Sequence, residues 1–160
     1  MYRLGRSIFI LTLSTAVVCG GFALLVKETR DTTAPRVDPA LQEFVEDWQG
    51  EMNAANIDYH AAFNRIESIE LAAAENKYAG VTDLSTRKIK INVNQLGTGK
   101  IRTRATVYHE LGHFVFGLQH GSCGIMQERC PSEEELEENW KDYVNEYLQL
   151  CINNSFEAKY

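Results

Sequence analysis

The stretch that decides the fold of this 160-residue chain is His109-Glu110-Leu111-Gly112-His113-Phe114-Val115-Phe116-Gly117-Leu118-Gln119-His120. It holds three of the four histidines of the chain. Residues four apart share one face of a helix, so His109 and His113 can bind a single metal ion together. Glu110 lies about 100° further round the same turn, from which its carboxylate can reach a water on that ion. The pattern therefore predicts a metal-binding helix.

A third histidine completes the predicted site. Gly117 can end the helix in a left-handed conformation, after which the chain can turn back and bring His120 to the ion. Three neutral imidazoles leave one position of a tetrahedral zinc ion open, which is the arrangement of a catalytic site. We therefore predict a zinc hydrolase with Glu110 as general base. The simpler alternative is an amphipathic helix whose histidines only lie at its polar edge.

The residues from His109 to Met126 resemble the metzincin superfamily of zinc peptidases, whose pattern is HExxHxxGxxH followed by a Met-turn. They are similar in particular to small zincin-like metallopeptidases of bacteria and their phages, in which a strand like residues 87–92 precedes a HELGH helix. The resemblance covers about residues 78–150. It implies a zincin-like α+β domain that hydrolyses peptide bonds. It also implies that Met126 forms an apolar floor beneath the metal without binding it.

Two segments compete to supply the third metal ligand. Three residues, not two, separate His113 from Gly117, so His120 comes one position later than in the metzincin pattern. A longer last helical turn can absorb the extra residue. The rival comes from thermolysin-like gluzincins, where a Glu about twenty residues beyond the second His binds the metal, a distance that fits Glu133 to Glu135. That acidic run after Ser132 is also what a helix N-terminus requires.

The N-terminal sequence predicts a membrane anchor. Arg3 and Arg6 precede an uncharged, apolar run over residues 7–26, which is long enough to cross a bilayer. Arginines before the span predict a cytoplasmic N-terminus and an exported remainder, periplasmic in a Gram-negative cell. We therefore predict a short cytoplasmic segment (1–6), a transmembrane signal anchor (7–26), a linker (27–37) and the metallopeptidase domain (38–160). The alternatives are secretion after signal cleavage and lipidation at Cys19.

Composition limits the kinds of partner that the exported part is expected to bind. Beyond residue 26 the chain has fourteen basic and twenty-two acidic residues, a formal charge of −8. This balance disfavours nucleic acid as a partner. The expected partners are a peptide or protein substrate and, through the N-terminal helix, the membrane. Three exported cysteines, Cys123, Cys130 and Cys151, permit one disulfide whose pairing the sequence leaves open.

Hydrophobic periodicity predicts the elements around the site. One helix opens at Asp38-Pro39 and buries Leu41, Phe44, Val45, Trp48 and Met52. Residues 65–72 and 88–93 read as strands, and the strict alternation of the second is typical of an edge strand. In zincins an edge strand beside the cleft pairs with the substrate backbone. The active-site helix is expected over residues 101–116, and a terminal helix over residues 133–151 is expected to pack behind it.

Two classes of function remain open at this point. The first is a membrane-anchored extracytoplasmic zinc endopeptidase. The second is a catalytically inactive zincin-fold binding module, and a hydrolase of a non-peptide amide is a further variant of the enzyme. Glu110 favours the enzyme, because a binding module needs no base beside the metal. Tyr143 and Tyr147 are candidates to steady the oxyanion, although tyrosines on an amphipathic helix are more often packing residues.

Overall fold

Helices pack against one face of a small mixed sheet in the computed structural model, which describes residues 34–73, 78–121 and 124–157. These described residues belong to one unit. The elements are β1 (Arg36–Val37), α1 (Gln42–Ala54), α2 (His60–Phe63), β2 (Ser68–Ala72), β3 (Gly80–Asp83), β4 (Lys88–Asn92), a 3-10 helix (Val93–Gly97), α3 (Lys100–Phe116) and α4 (Glu133–Glu157). The predicted α+β class is confirmed. Strand β1 falls within the stretch predicted as linker.

The predicted transmembrane anchor, residues 7–26, lies outside the described residues. Within the described part of the chain, no helix combines the length and apolar character needed to span a bilayer. Cys123 also lies outside the description. No disulfide joins the two described cysteines, the half-buried Cys130 and the buried Cys151.

The sheet has the strand order β1-β2-β4-β3, with β3 antiparallel to β4 and the other pairs parallel. The prediction that residues 88–93 form an edge strand is wrong, because β4 lies between β2 and β3. Its Ile89 and Ile91 are fully buried, while Lys90 between them is exposed. The alternation therefore indicates that one face of the sheet is exposed to solvent. It does not indicate where the strand lies within the sheet. The edge strands are β1 and β3, and β3 is the one that contacts the helix α3.

Helix α1 supplies one side of the core. All five apolar residues predicted for it are buried. The helix begins at Gln42, later than Asp38-Pro39 suggested, because the Asp38 side chain accepts the N–H of Ala40 at 2.9 Å and forms a separate turn first. Trp48 then packs against Tyr59 and Phe63, with ring centroids 5.0 and 5.8 Å away.

Helix α4 lies behind α3, as the sequence predicts, and a buried hydrogen-bond chain joins both to α1. The Tyr147 hydroxyl accepts from the Trp48 indole N–H at 3.0 Å and donates to the Tyr108 carbonyl at 2.8 Å. Trp48 and Tyr147 are fully buried. Tyr147 is therefore a packing residue, and the idea that it steadies an oxyanion is wrong. Tyr143 donates to Glu135 at 2.6 Å nearer the surface.

We expect Tyr147→Phe to lower the free energy of unfolding by about 2 kcal/mol, because it leaves the buried indole N–H of Trp48 without an acceptor. Urea unfolding followed by tryptophan fluorescence measures the loss. Tyr143→Phe is the matched control, since its hydroxyl bond to Glu135 is exposed, and it should cost under about 1 kcal/mol. Equal stability of the two variants would contradict the buried hydrogen-bond chain.

Candidate metal centre

Helix α3 places His109 and His113 on one face and ends where the sequence predicts. Gly117 has a φ of 64°, the left-handed conformation that glycine adopts without strain. Its N–H donates to the His113 carbonyl at 3.2 Å, and the Leu118 N–H reaches back to the Gly112 carbonyl at 3.1 Å. This wide last turn absorbs the extra residue before Gly117 and leads the chain back towards the two histidines.

The three predicted histidines converge. Their Nε2 atoms are 2.9 Å apart between His109 and His113, and 3.2 Å from each of these to His120. In the described segments, this is the one group of histidine, cysteine or acidic side chains arranged to hold a metal ion. His120 is exposed, whereas His109 and His113 are partly buried. The structure thus brings together the set that the sequence predicts.

Backbone carbonyls determine which ring nitrogens face each other. Nδ1 of His109 is 2.8 Å from the Ile125 carbonyl, and Nδ1 of His113 is 2.6 Å from the Leu118 carbonyl. A carbonyl only accepts, so in both rings Nδ1 carries the proton and donates it. The Nε2 lone pairs of His109 and His113 therefore point at each other across 2.9 Å. A cation between them would remove this repulsion.

Zinc fits this donor set. Imidazole nitrogens bound at 2.0–2.1 Å to a tetrahedral zinc ion are about 3.4 Å apart, close to the spacing of the three Nε2 atoms. The pKa of His109 is lowered to about 4, mainly by burial, with a smaller contribution from the neighbouring His113 and His120. Burial likewise lowers the pKa of His113. Both rings are therefore neutral near pH 7, which is the form that binds a metal.

The rival ligands Glu133 to Glu135 lie elsewhere. The Glu133 side chain contacts Gly99, the residue before α3, at the opposite end of that helix from His113. Ser132 accepts the N–H of Glu135 at 3.2 Å, as the capping explanation requires. His113 lies fourteen residues beyond Gly99 on α3 (113 − 99 = 14), a separation of about 20 Å along the helix. The gluzincin alternative is therefore wrong for this chain.

The Met-turn follows directly after the histidines. Met126 is fully buried, and its sulfur is so close to Gly112 that a Cβ there would be 3.0 Å from it. Gly124 packs on the ring of Tyr143, where a Cβ would be 2.5 Å away. These contacts fix the turn whose Ile125 carbonyl orients His109.

Glu110 is buried beside the histidines and contacts the edge strand. Glu110 is only 5% exposed, and this burial raises the pKa of its carboxyl to about 7. Thr82 on β3 donates its hydroxyl to Glu110 Oε2 at 2.7 Å, which opposes that rise. Gly80 on the same strand is so close that a Cβ would be 2.7 Å from Oε1. Neither β3 residue could be identified from the sequence, since contacts across 28 positions for Thr82 and 30 for Gly80 (110 − 80) leave no local pattern.

A cleft of about 540 Å³ opens between β3 and α3. The three histidines and Glu110 line it, together with the segment after the Met-turn as far as Cys130. Exposed apolar side chains flank it on the strand side, namely Tyr78 (54%), Val81 (39%) and Leu84 (65%). The Asn92 N–H donates to the Ala79 carbonyl at 2.9 Å, so by the antiparallel alternation the backbone groups of Gly80 and Thr82 point away from β4.

In the metal-free protein we expect Glu110→Gln to become increasingly stabilising as pH rises. The folded pKa of Glu110 is about 7, above its ordinary value of 4.5. The wild-type carboxyl is therefore neutral at low pH, and its contribution to stability is lost as pH rises through 7, while glutamine stays neutral throughout. The difference in free energy of unfolding should grow by about 2 kcal/mol between pH 5 and pH 8. Urea unfolding in a chelator measures it.

Glu137→Gln is the control for that experiment, because it removes an exposed carboxyl from α4. If the stability gap between wild type and Glu110→Gln stays constant with pH, the carboxyl does not experience the buried environment described above.

One comparison with known proteins assigns the chain to a family. The sequence model of Metallo-peptidase family M12B Reprolysin-like matches residues 13–121, more than half of the chain. The matched range includes the three converging histidines and Glu110, and it ends before Met126. No curated protein and no solved structure matches the chain. The predicted zinc cofactor agrees with this metzincin-type family and with the histidine cluster. The chain therefore belongs to the reprolysin-like metallopeptidases of family M12B.

Proposed function

We propose that this metallopeptidase is a membrane-anchored zinc endopeptidase that cleaves peptide or protein substrates outside the cytoplasm. The observation that carries the enzymatic part is the convergence of three Nε2 atoms within 3.2 Å of one another, beside a buried carboxylate. We assign His109, His113 and His120 as zinc ligands, with Met126 supporting the site from beneath. Glu110 is the general base.

The metal and Glu110 have separate roles in the proposed reaction. Zinc, when bound, lowers the pKa of a water and polarises the scissile carbonyl. Glu110 accepts a proton from the attacking water as the new C–O bond forms, and it delivers that proton to the amine nitrogen as the C–N bond breaks. Its burial suits this exchange, because a carboxylate shielded from water is a stronger base than an exposed one.

The edge strand supports the assignment to extended peptide substrates. Gly80 and Thr82 direct their backbone N–H and C=O groups away from β4 towards the cleft side, and an extended chain can pair with them. Exposed apolar residues at Tyr78, Val81 and Leu84 favour substrates with apolar side chains there. Contacts spread from Tyr78 to Leu84 suit several consecutive substrate residues, as an endopeptidase requires.

We expect the purified full-length protein to contain one zinc per chain and to cleave fluorescein-labelled casein. His120→Ala should bind zinc at least about 100-fold more weakly, because it removes a direct ligand. Glu110→Gln should keep its zinc and lose about 10²- to 10⁴-fold in turnover, because it removes only the base. Metal analysis and the casein assay give the two readouts.

His60→Ala is the matched control, since His60 is the one remaining histidine and lies exposed on α2. It should keep both zinc and turnover. If His120→Ala holds zinc as tightly as wild type, the third ligand is another residue. If the wild-type protein takes up no zinc, the assignment as an enzyme is wrong and the alternative of a binding module is favoured.

The apolar run over residues 7–26, preceded by two arginines, supports the proposed membrane anchor. We expect the full-length chain with a C-terminal tag, expressed in a Gram-negative cell, to stay in the membrane after a carbonate wash. The tag should be digested by protease added to spheroplasts. A shortened chain in the soluble periplasmic fraction would instead indicate secretion after signal cleavage.

A further inference from the structure

Strand β3 holds the Glu110 carboxylate from two directions. On one side the Thr82 hydroxyl donates to Oε2 at 2.7 Å, and it also lies 3.1 Å from the Glu110 backbone carbonyl. On the other side, a Cβ at Gly80 would be 2.7 Å from Oε1 and 2.8 Å from Cγ. Side chains do not approach so closely, so only glycine permits this packing. The strand thus contacts both oxygens of one buried carboxylate.

The two contacts have different consequences for the two oxygens. A carboxyl rotates readily about its terminal torsion, because that torsion is broad and roughly two-fold. The hydrogen bond from Thr82 to Oε2 removes this freedom. Oε1 packs beside Gly80, where the missing side chain leaves room for it, and it accepts no hydrogen bond from the described residues. One oxygen is held and the other is left to react.

We propose that Thr82 is a positioning residue for the general base: it fixes Oε2 of Glu110 so that Oε1 can accept the proton, while Gly80 leaves room for Oε1 beside the strand. The proposal rests on the assignment of Glu110 as general base. The backbone of both residues also lies on the free edge of the sheet, where the substrate is proposed to pair. Base and substrate are therefore aligned by the same short strand, itself paired with β4 through residues 80–83.

A purely structural role for Thr82 makes a different prediction. If its hydroxyl only satisfied a buried carboxylate, removing it would lower stability and leave the chemical step alone. If it aims the base, its removal slows the step in which the proton moves, while the substrate still binds. The separation of kcat from KM therefore distinguishes the two roles.

The experiment compares Thr82→Val, which has the same shape without the hydroxyl, with Thr82→Ser, which keeps it. In the full-length, zinc-loaded protein, Thr82→Val should lower kcat on labelled casein about ten-fold with KM within about two-fold. Thr82→Ser should recover kcat to within about three-fold of wild type. Both variants should keep one zinc per chain.

A second readout does not depend on turnover. Acetohydroxamic acid gives up a proton when it binds a metal, so its affinity reports whether a well-placed acceptor is present. We expect Thr82→Val to bind it about ten-fold more weakly than wild type, and Thr82→Ser to bind it as wild type does. Thr103→Val is the matched control. Thr103 is a buried threonine that does not line the cleft, and its hydroxyl donates to the Gln95 carbonyl at 2.9 Å.

Gly80→Ala tests the same carboxylate from the other side if Thr82→Val does not fold. Its Cβ must displace Oε1, so kcat should fall while zinc is retained. Gly50→Ala is its control, since a Cβ there meets nothing within 4 Å. If zinc-loaded Thr82→Val has the same kcat and hydroxamate affinity as the wild type, Thr82 does not position the base. A zinc-loaded wild type that neither cleaves casein nor binds the hydroxamate would overturn the proposed function itself.

Discussion

Two backbone carbonyls, those of Leu118 and Ile125, determine the chemistry of this protein, because they hold the protons of His113 and His109 on Nδ1. Without them either ring could present a proton to the centre of the site, and the lone pairs would not converge. The Leu118 carbonyl is in place because Gly117 ends α3 in a left-handed turn. The Ile125 carbonyl is in place because the buried Met126 anchors the next turn.

The core holds the same two turns from behind. Tyr147 reaches the carbonyl of Tyr108, directly before His109, and its ring lies so close to Gly112 that a Cβ there would be 3.0 Å away. Gly112 thus lets α4 and the Met-turn meet against the one helix that carries the histidines. The ring of Tyr143 supports Gly124 in a similar way. The packing of α4 and the orientation of the metal ligands therefore depend on the same two glycines, Gly112 and Gly124.

The sequence was most informative where the relevant physics is local. The i, i+4 histidines, the helix-ending Gly117 and the acidic cap of α4 depend on neighbours within one or two turns, and each lies where it was predicted. The order of strands depends on contacts between distant segments, which is why β4 was predicted at the edge and β3 was missed. Thr82 is the clearest case, since in the sequence it looks like any surface threonine, and only the fold brings Glu110 to it.

The shortness of β3 has a consequence for how substrates are discriminated. Only Gly80 and Thr82 direct backbone groups to the open side, so an extended peptide can form at most a few hydrogen bonds with the strand. Each is worth about 1 kcal/mol net, too little to hold an uncut chain tightly. Selectivity must then be expressed mainly after binding, by how well a given peptide bond aligns with the metal and the base. An enzyme built in this way would sample many exposed segments briefly and cleave the few that align.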